Sequence, residues 1–216
     1  MKNIAIIGGG LGGLTAGALL SKAGYKVTLL EQHNIVGGCA TVFKRKGGFT
    51  CEVGLHEMDG VFSNPTIKKI FDELDVYNNI EFIKPNEFFK VTSQFGEFVM
   101  PDGIENVKNS LQQKFPTETN AIEKYFGIIF SISNCYKKLT NLRWYHYLFF
   151  PFIFFPILKY KNKSVSEVLD RITKNEELKL ILNANVQYYN DSADTLSILL
   201  HAVAQSSYYE GGGYFI

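Results

Sequence analysis

The chain has 216 residues, of which 46% are hydrophobic and 20% are charged, and its formal net charge is +1. This length allows a sizeable core in one or two domains, and this composition excludes wholesale disorder. The nearly neutral charge gives no basic field that would indicate nucleic acid and no acidic field for cationic partners.

The first predicted element is a short apolar run, IAII at residues 4–7, which is typical of a buried parallel strand. The run leads directly into the pattern Gly8-x-Gly10-x-x-Gly13. In such a pattern the first glycine permits a tight turn, the second lets a pyrophosphate approach the backbone, and the third lets the following helix pack on its strand. This order of elements predicts a dinucleotide-binding βαβ unit.

A helix is predicted from about Leu11 to Ala23, with Gly24 as its C-cap, and the run YKVTLLE reads as the second strand. Glu31 closes that strand 18 residues after Gly13. A carboxylate at this place accepts hydrogen bonds from a ribose diol and repels a 2′-phosphate. The pattern therefore favours an adenosine without that phosphate.

The stretch LEQHNIVGGCATVFKRKGGFTCEVGLH at residues 30–56 adds a second glycine pair, Gly37-Gly38. Together with GFTCEVGLHEMDG, it resembles the N-terminal region of FAD-dependent oxidoreductases of the phytoene desaturase, carotenoid isomerase and retinol saturase group, within the amine-oxidase-like flavoproteins. The resemblance implies an α/β fold with a Rossmann-type FAD-binding βαβ start and an inserted α+β substrate domain. Its domains would be residues 1–75, the N-terminal part of the FAD-binding domain, and residues 76–216, an incomplete substrate-binding domain.

The resemblance also implies a set of FAD-binding residues in the N-terminal region. They are Gly8, Gly10, Leu11, Gly12, Gly13, Glu31, Gln32, Gly37, Gly38 and Thr41. His56 is a weak catalytic candidate near the flavin ring or the inner end of a substrate tunnel, and an ordinary structural histidine is the alternative. The histidine pairs lack metal-ligand spacing, so no metal site is predicted.

The middle of the chain predicts strands followed by helices. The runs IEFIKP, EFFKVTS and EFVMPDG suggest an antiparallel meander with a turn at Gln94-Phe95-Gly96. IENVKNSLQQKF is predicted to be a helix that stops before Pro116. Thr117 or Thr119 would cap a long helix through about Leu142, with a core stripe of Ile122, Phe126, Ile129, Phe130 and Ile132.

Three further helices are predicted towards the end of the chain. A capping box from Ser164 to Glu167 would open the first, and Asn175 would cap the second, EELKLILNANVQYY. Asp191 or Ser192 would start the third.

An aromatic stretch, Trp144–Tyr160, packs apolar residues around two prolines and is flanked by cations. Its apolar core is far shorter than the roughly 20 residues that cross a bilayer, so spanning is excluded. Three interpretations stay open: insertion at a membrane interface, a wall of an apolar substrate tunnel, and a buried core segment broken by proline.

The compartment is predicted from two features of the sequence. Three scattered cysteines argue against a disulfide framework, and the N-terminal residues lack the pattern of a signal peptide. We therefore expect a cytoplasmic protein, peripheral on the membrane if the aromatic stretch inserts.

The ending, YYEGGGYFI, resembles a family segment after which the chain returns to complete the dinucleotide domain. By this resemblance the sequence corresponds to the front half of a family member, as a truncated product, a gene fragment or one half of a split enzyme completed by a second polypeptide. Because sheet edges and the cofactor cleft would then be open, we expect weak or no FAD retention by this chain alone.

The predicted function is that of an FAD-dependent desaturase, saturase or isomerase acting on a carotenoid, retinoid or other isoprenoid lipid. Two alternatives remain. One is a non-enzymatic isoprenoid-binding escort with the fold of the GDP dissociation inhibitors, and the other is an amine or porphyrinogen oxidase.

Overall fold

The computed structural model describes residues 2–139 and 142–216, without the side chains of Tyr145 and Tyr147. These residues form two compact units. The first unit runs through Ile83 and also includes Tyr214–Ile216, and the second unit is Lys84–Gly213. The assignment of residues 1–75 to cofactor binding and of residues 76–216 to substrate binding stays a prediction.

The first unit opens with the βαβ arrangement that the sequence predicts. Strand β1 (Asn3–Ile7), helix α1 (Leu11–Lys22) and strand β2 (Lys26–Leu30) follow one another, and the two strands pair in parallel. Gly24 follows the end of α1 with a φ of +87°, a conformation that side chains rarely adopt. The helix therefore ends where the glycine allows the chain to reverse.

The rest of the first unit is built from short elements. A 3₁₀ turn at Gly38–Ala40 precedes β3 (Val42–Lys44) and β4 (Thr50–Glu52), which form an antiparallel hairpin. Strand β5 (Met58–Asp59) and helix α2 (Pro65–Glu73) follow. The side chain of Asn64 caps α2 by accepting a hydrogen bond from the Thr66 N–H at 2.9 Å.

The second unit begins with an antiparallel hairpin of β6 (Glu87–Ser93) and β7 (Gly96–Pro101), as predicted. The third strand predicted for this meander, IEFIKP, is wrong. Ile83 instead exchanges two backbone hydrogen bonds, both 2.9 Å long, with Phe215. Since Pro85 follows two residues later and has no N–H, a longer strand pairing is not formed.

Helix α3 (Ile104–Lys114) ends before Pro116 as predicted, and a 3₁₀ turn (Pro116–Glu118) leads into α4 (Thr119–Leu139). The predicted core stripe is confirmed, because its residues are buried or pack against the core. The predicted threonine cap is wrong: the Thr119 hydroxyl donates to the Pro116 carbonyl at 3.1 Å. The predicted extension towards Leu142 crosses residues 140 and 141, which lie outside the described residues, and Leu142 is not helical.

Three short helices follow and correspond to the aromatic stretch: α5 (Trp144–Leu148), α6 (Phe150–Ile153) and α7 (Phe155–Tyr160). Pro151 and Pro156 each stand in the first turn of a helix, where the missing N–H costs nothing. Along residues 2–139 and 142–216, the structure has no helix with the length and apolar character that a membrane span requires.

The last helices are α8 (Val165–Ile172), α9 (Glu176–Asn183) and α10 (Ile198–Gly211), with a 3₁₀ turn (Ala184–Tyr188) after α9 and strand β8 (Gly213–Tyr214) at the end. The predicted capping box on α8 and the Asn175 cap on α9 are confirmed.

The predicted start of the last helix at Asp191 or Ser192 is wrong, because Ser197 caps α10. The preceding residues form turns instead: the Asn190 side chain accepts from the Ser192 N–H at 2.8 Å and from the Thr195 hydroxyl at 3.1 Å. Such local side-chain hydrogen bonds compete with the helical backbone pattern.

The main hydrophobic core lies in the second unit, where α4 packs along α10. His201 of α10 is fully buried in this core, and both of its ring nitrogens are hydrogen-bonded. The hydroxyl of Tyr125 lies 2.8 Å from Nε2, and that of Tyr189 lies 2.9 Å from Nδ1. Gln205 Nε2 donates to the Tyr189 hydroxyl at 2.8 Å, so a chain of polar groups crosses the apolar interior.

Burial lowers the pKa of His201 from 6.5 to about 4. Each partner of this histidine is a neutral hydroxyl, so the cost of burying a charge has no carboxylate to offset it. Between these two pH values the unfolded chain binds a proton that the folded chain does not. Stability must therefore fall as the pH is lowered through this window.

We expect the free energy of unfolding to drop by about 3 kcal/mol between pH 6.5 and pH 4 through His201. Urea unfolding followed by circular dichroism measures this dependence. His201→Gln should flatten the pH slope, whereas His33→Gln, a change at an exposed histidine, should leave it as in the unmodified chain. An equal slope in the unmodified and His201→Gln chains would contradict the assignment.

Candidate functional site

The turn between β1 and α1 is held by contacts that only glycine allows. Gly8 has a φ of +102°, and its N–H donates to the Leu30 carbonyl at 2.8 Å. A Cβ atom on Gly13 would lie 2.0 Å from the Gly8 carbonyl oxygen, well inside van der Waals contact. The first turn of α1 therefore packs directly on the backbone of the turn.

The N-terminus of α1 presents backbone donors without a side chain in front of them. Gly10 is the N-cap and has no capping side chain, and the Leu14 N–H donates to the Gly10 carbonyl at 3.0 Å. The N–H groups of Leu11, Gly12 and Gly13 come before this first intrahelical hydrogen bond, so the helix itself offers them no acceptor. Cβ atoms at Gly10 and Gly12 would meet no atom within 4 Å. The space in front of the helix is open, and the helix dipole favours an anion there.

The second glycine pair lies against this turn. The Gly37 N–H donates to the Gly9 carbonyl at 2.7 Å, and a Cβ on Gly38 would lie 3.1 Å from the Gly10 Cα. Gly37 and Gly38 have φ values of +121° and +61°. The sequence predicts both motifs, but their direct backbone contact is visible only in the structure.

The Glu31 carboxylate closes the same cluster. Its Oε2 accepts from the Gly9 N–H at 2.5 Å, and its Oε1 accepts from the His33 N–H at 2.9 Å. The N–H groups of His33, Gly9 and Gln32 together hold the pKa of Glu31 below its ordinary value. The acid stays ionised at neutral pH beside the glycine turn, where it can accept hydrogen bonds from a diol.

The first unit also contains an apolar cavity of about 390 Å³. Three of the predicted site residues line it: Leu11 at the start of α1, Thr41 after the second glycine pair, and His56. The remaining lining is largely aliphatic and aromatic and includes Met58, Phe71 and Tyr214. The structure thus brings together residues that are separated by more than 200 positions in the chain.

His56 is half-exposed at this cavity and pairs with a residue that the sequence analysis missed. Its Nδ1 lies 2.7 Å from Oε2 of Glu52, four residues earlier. The contact fixes the orientation of the ring. A glutamate four residues before a histidine predicts a side-chain contact when both residues lie on one helix. Here strand β4 ends at Glu52, so that rule does not apply and the sequence did not predict the contact.

Glu57 also lines the cavity, and burial raises the pKa of its carboxyl group. Burial likewise raises the pKa of Asp59 in β5. These two acids were not among the sequence candidates. Within the described part of the chain, the structure has no group of three His, Cys, Asp or Glu residues that could hold a metal ion.

Comparison with known proteins shows similarity over the glycine turn and over the whole chain. Residues 6–74 match the NAD(P)-binding Rossmann-like domain family. Over 98% of its length, the chain is 29% identical to an inactive all-trans-retinol 13,14-reductase of Danio rerio and 27% identical to the all-trans-retinol 13,14-reductase of Homo sapiens. It spans only 37% of each of these relatives. Over 44% of the chain, it is 36% identical to a 15-cis-phytoene desaturase of Solanum lycopersicum, covering 16% of that protein.

Solved structures with a similar fold include enzymes and a regulatory protein. A putrescine oxidase bound to putrescine superposes on 99% of the chain and 45% of its own, with a TM-score of 0.62 and 17% identity. A Rab GDI of Plasmodium falciparum covers 99% of the chain and 52% of its own, with a TM-score of 0.53 and 14% identity. The predicted Rossmann-type fold is confirmed, and the predicted likeness to the retinol saturase and phytoene desaturase group is confirmed at the level of sequence similarity.

The contact between Gly13 and the Gly8 carbonyl generates a stability prediction. Gly13→Ala should destabilise the βαβ segment by about 3 kcal/mol, because the added methyl group forces α1 away from the turn. Hydrogen-exchange mass spectrometry of peptides covering α1 measures the effect locally.

Gly12→Ala is the matched control, since its Cβ enters open space. It should preserve or raise protection, by up to about 1 kcal/mol, because alanine favours the helix. Equal protection in the Gly13→Ala and unmodified chains would show that the turn is not as closely packed as described.

Proposed function

We propose that the chain binds FAD and belongs to an oxidoreductase that acts on a carotenoid, retinoid or related isoprenoid lipid. The observation that carries the proposal is the convergence of three groups: the N-terminus of α1, the backbone of Gly37-Gly38 and the ionised carboxylate of Glu31. The N-terminus of α1 would bind the diphosphate, and the Glu31 carboxylate would bind the adenosine ribose. Gly37-Gly38 packs its backbone against the same turn. The similarity to retinol reductases and phytoene desaturases supports the lipid class of the substrate.

The local geometry fits a diphosphate. The space beside Gly10 and Gly12 is open, a larger side chain at either position would stand in it, and no acidic residue stands in the first turn of α1. Backbone N–H groups and the helix dipole stabilise a negative group there without a side-chain cation.

Glu31 supports an adenosine ribose without a 2′-phosphate. Its Oε2 accepts from the Gly9 N–H and its Oε1 from the His33 N–H, and a carboxylate with about four acceptor positions keeps capacity for a ribose hydroxyl. Because backbone N–H groups lower its pKa, the carboxylate keeps its charge across neutral pH and repels a phosphate at the 2′ position.

The apolar cavity supports the remainder of the proposal. Leu11 and Thr41 connect the diphosphate region with this cavity, and its apolar lining excludes water from a planar or polyene group. When bound, FAD supplies the two-electron donor or acceptor for adding or removing hydrogen at a carbon–carbon bond. The chain contributes orientation and a dry surface, and His56, held by Glu52, stays a candidate for moving a proton at the cavity.

A second candidate function is an isoprenoid-binding escort that uses no flavin. The fold likeness to a Rab GDI favours this candidate, as does the apolar character of the cavity. An amine oxidase is the third, favoured by the likeness to putrescine oxidase. Product analysis with retinoid, carotenoid and amine substrates discriminates the two enzymes, and lipid extraction by a flavin-free chain identifies the escort.

Gly10→Val tests the diphosphate site. The valine side chain would fill the open space in front of α1, so FAD affinity should fall by roughly 100-fold or more while the fold is kept. Titration of the chain with FAD, followed by flavin fluorescence and calorimetry, measures the change.

Gly127→Val, in α4, is the matched control because its added side chain also begins in open space. This variant should bind FAD like the unmodified chain. If Gly10→Val binds FAD as tightly as the unmodified chain does, the proposed site is wrong.

Glu31→Gln tests the ribose contact. A charged hydrogen bond contributes about 1.5–3 kcal/mol, so ADP-ribose should bind roughly 10- to 100-fold more weakly to the variant. The unmodified chain should discriminate against 2′-phospho-ADP-ribose, and the variant should lose much of that discrimination. Calorimetry with the two ligands measures both effects, and unchanged discrimination would assign the ribose to another residue.

A further inference from the structure

The short helices α5, α6 and α7 present large apolar side chains to solvent. Trp144 is 78% exposed and Phe152 is 82% exposed, and Leu148, Phe149 and Phe155 are also exposed. We call these five residues the aromatic surface. Five large apolar side chains exposed within one short stretch are unusual for a protein in water, and exposed apolar surface of this kind marks an interaction site.

Buried side chains and a hydrogen bond to α4 hold the segment that carries the aromatic surface in place. Phe154 is 1% exposed, and its ring packs on that of Phe150 with centroids 4.7 Å apart. The thiol of Cys135 in α4 donates to the Ile153 carbonyl at 3.3 Å, and His146 is buried. The buried side chains of His146 and Phe154 thus anchor the stretch, while the side chains of the aromatic surface lie in solvent. The interpretation of the whole stretch as buried core is wrong for this reason.

The segment of sequence that carries the aromatic surface contains charged side chains of one sign only. Residues 124–166 contain no aspartate or glutamate, and their seven cations are Lys124, Lys137, Lys138, Arg143, Lys159, Lys161 and Lys163. Lys137 pairs with Glu210, and Lys163 pairs with Glu167 at 3.0 Å. Arg143 and Lys159 flank the aromatic surface on either side in sequence, and both are exposed. In a chain with a net charge of +1, this concentration of cations is a local feature.

We infer that the aromatic surface docks on an anionic lipid bilayer. Tryptophan and phenylalanine insert at the level of the headgroups, and the surrounding cations face the lipid phosphates. The helices are far too short to span the bilayer, so the contact is peripheral. A second copy of the chain is disfavoured as the occupant, because a symmetric interface would bring the same cations together.

The single tryptophan makes a direct test possible. Trp144 is the chain's one tryptophan, so its fluorescence reports on this surface alone. Adding vesicles of phosphatidylcholine and phosphatidylserine to the flavin-free chain should shift the emission to the blue, and brominated lipids should quench it. The chain should bind vesicles without phosphatidylserine more weakly by about tenfold or more. Added salt should weaken its binding to the anionic vesicles.

Two sets of variants test which side chains are responsible. Phe152→Ser combined with Phe155→Ser should lower vesicle partitioning by about tenfold or more, because two aromatic side chains no longer leave water. Lys159→Gln combined with Lys161→Gln should lower partitioning to anionic vesicles by roughly tenfold and leave binding to neutral vesicles unchanged. Tyr188→Ser is the control, since Tyr188 is 73% exposed and lies outside the aromatic surface; it should bind like the unmodified chain.

Several outcomes would overturn the inference. These are no vesicle binding by the unmodified chain, binding without quenching by brominated lipids, and an equal loss in Tyr188→Ser. A blue shift that depends on protein concentration in the absence of lipid would assign the surface to a second copy instead. The lipid-quenching experiment uses the unmodified chain, so a variant that fails to fold does not affect it. Because the assay contains no FAD, its result is independent of the proposed cofactor site.

Discussion

The absence of a side chain at Gly13 is the constraint on which the candidate site depends. It lets α1 start directly on the backbone of the turn after β1, where the Gly8 carbonyl leaves no room for a methyl group. That contact sets the direction of the first helical N–H groups, and Gly37-Gly38 and Glu31 attach to the same turn through backbone hydrogen bonds. The backbone alone thus forms the surface that we propose for an anion, and the Glu31 carboxylate lies at its edge.

The two compact units rest on different physical bases. The second has a continuous apolar core between α4 and α10, crossed by the buried network of His201, Tyr125 and Tyr189. The first is made of short elements around glycine turns, and Ile7 and Leu30, at the ends of its parallel strands, are exposed. Stability is therefore concentrated in the second unit, whereas the dinucleotide-binding geometry lies in the first.

The proteins that are similar in sequence and those that are similar in fold differ in what they act on. Retinol reductases and a phytoene desaturase are similar in sequence, while solved structures of the same fold include an amine oxidase and a Rab GDI. The chain spans just over a third of the reductases, so residues beyond this sequence contribute most of their length. The exposed aromatic surface and the apolar cavity both fit the proposed substrate, which partitions out of water.

The sequence by itself determined the features that depend on local chemistry. The glycine turn, the capping box at Ser164, the Asn175 cap and the apolar stripe of α4 each follow from neighbouring residues, and each is present in the structure. Backbone sterics and side-chain-to-backbone hydrogen bonds act over a few positions, so they can be read from a short stretch. Errors arose where two local signals competed, as at Ser192 and Ser197, or where a distant partner took the backbone groups, as Phe215 does for Ile83.

Only the tertiary structure decided which of these features meet. The contact of Gly38 with Gly10 and the cavity shared by Leu11 and Tyr214 join residues whose spacing in the chain carries no periodic signal. Glu52 and His56 are four residues apart, but they lie outside a helix, so their spacing alone did not predict the contact. Solvent exposure of Trp144 and Phe152 was likewise undetermined, because a run of aromatic residues satisfies a core and a lipid surface equally well. Packing chooses between such alternatives, since burial depends on the sum of all neighbours and not on the residues beside it in sequence.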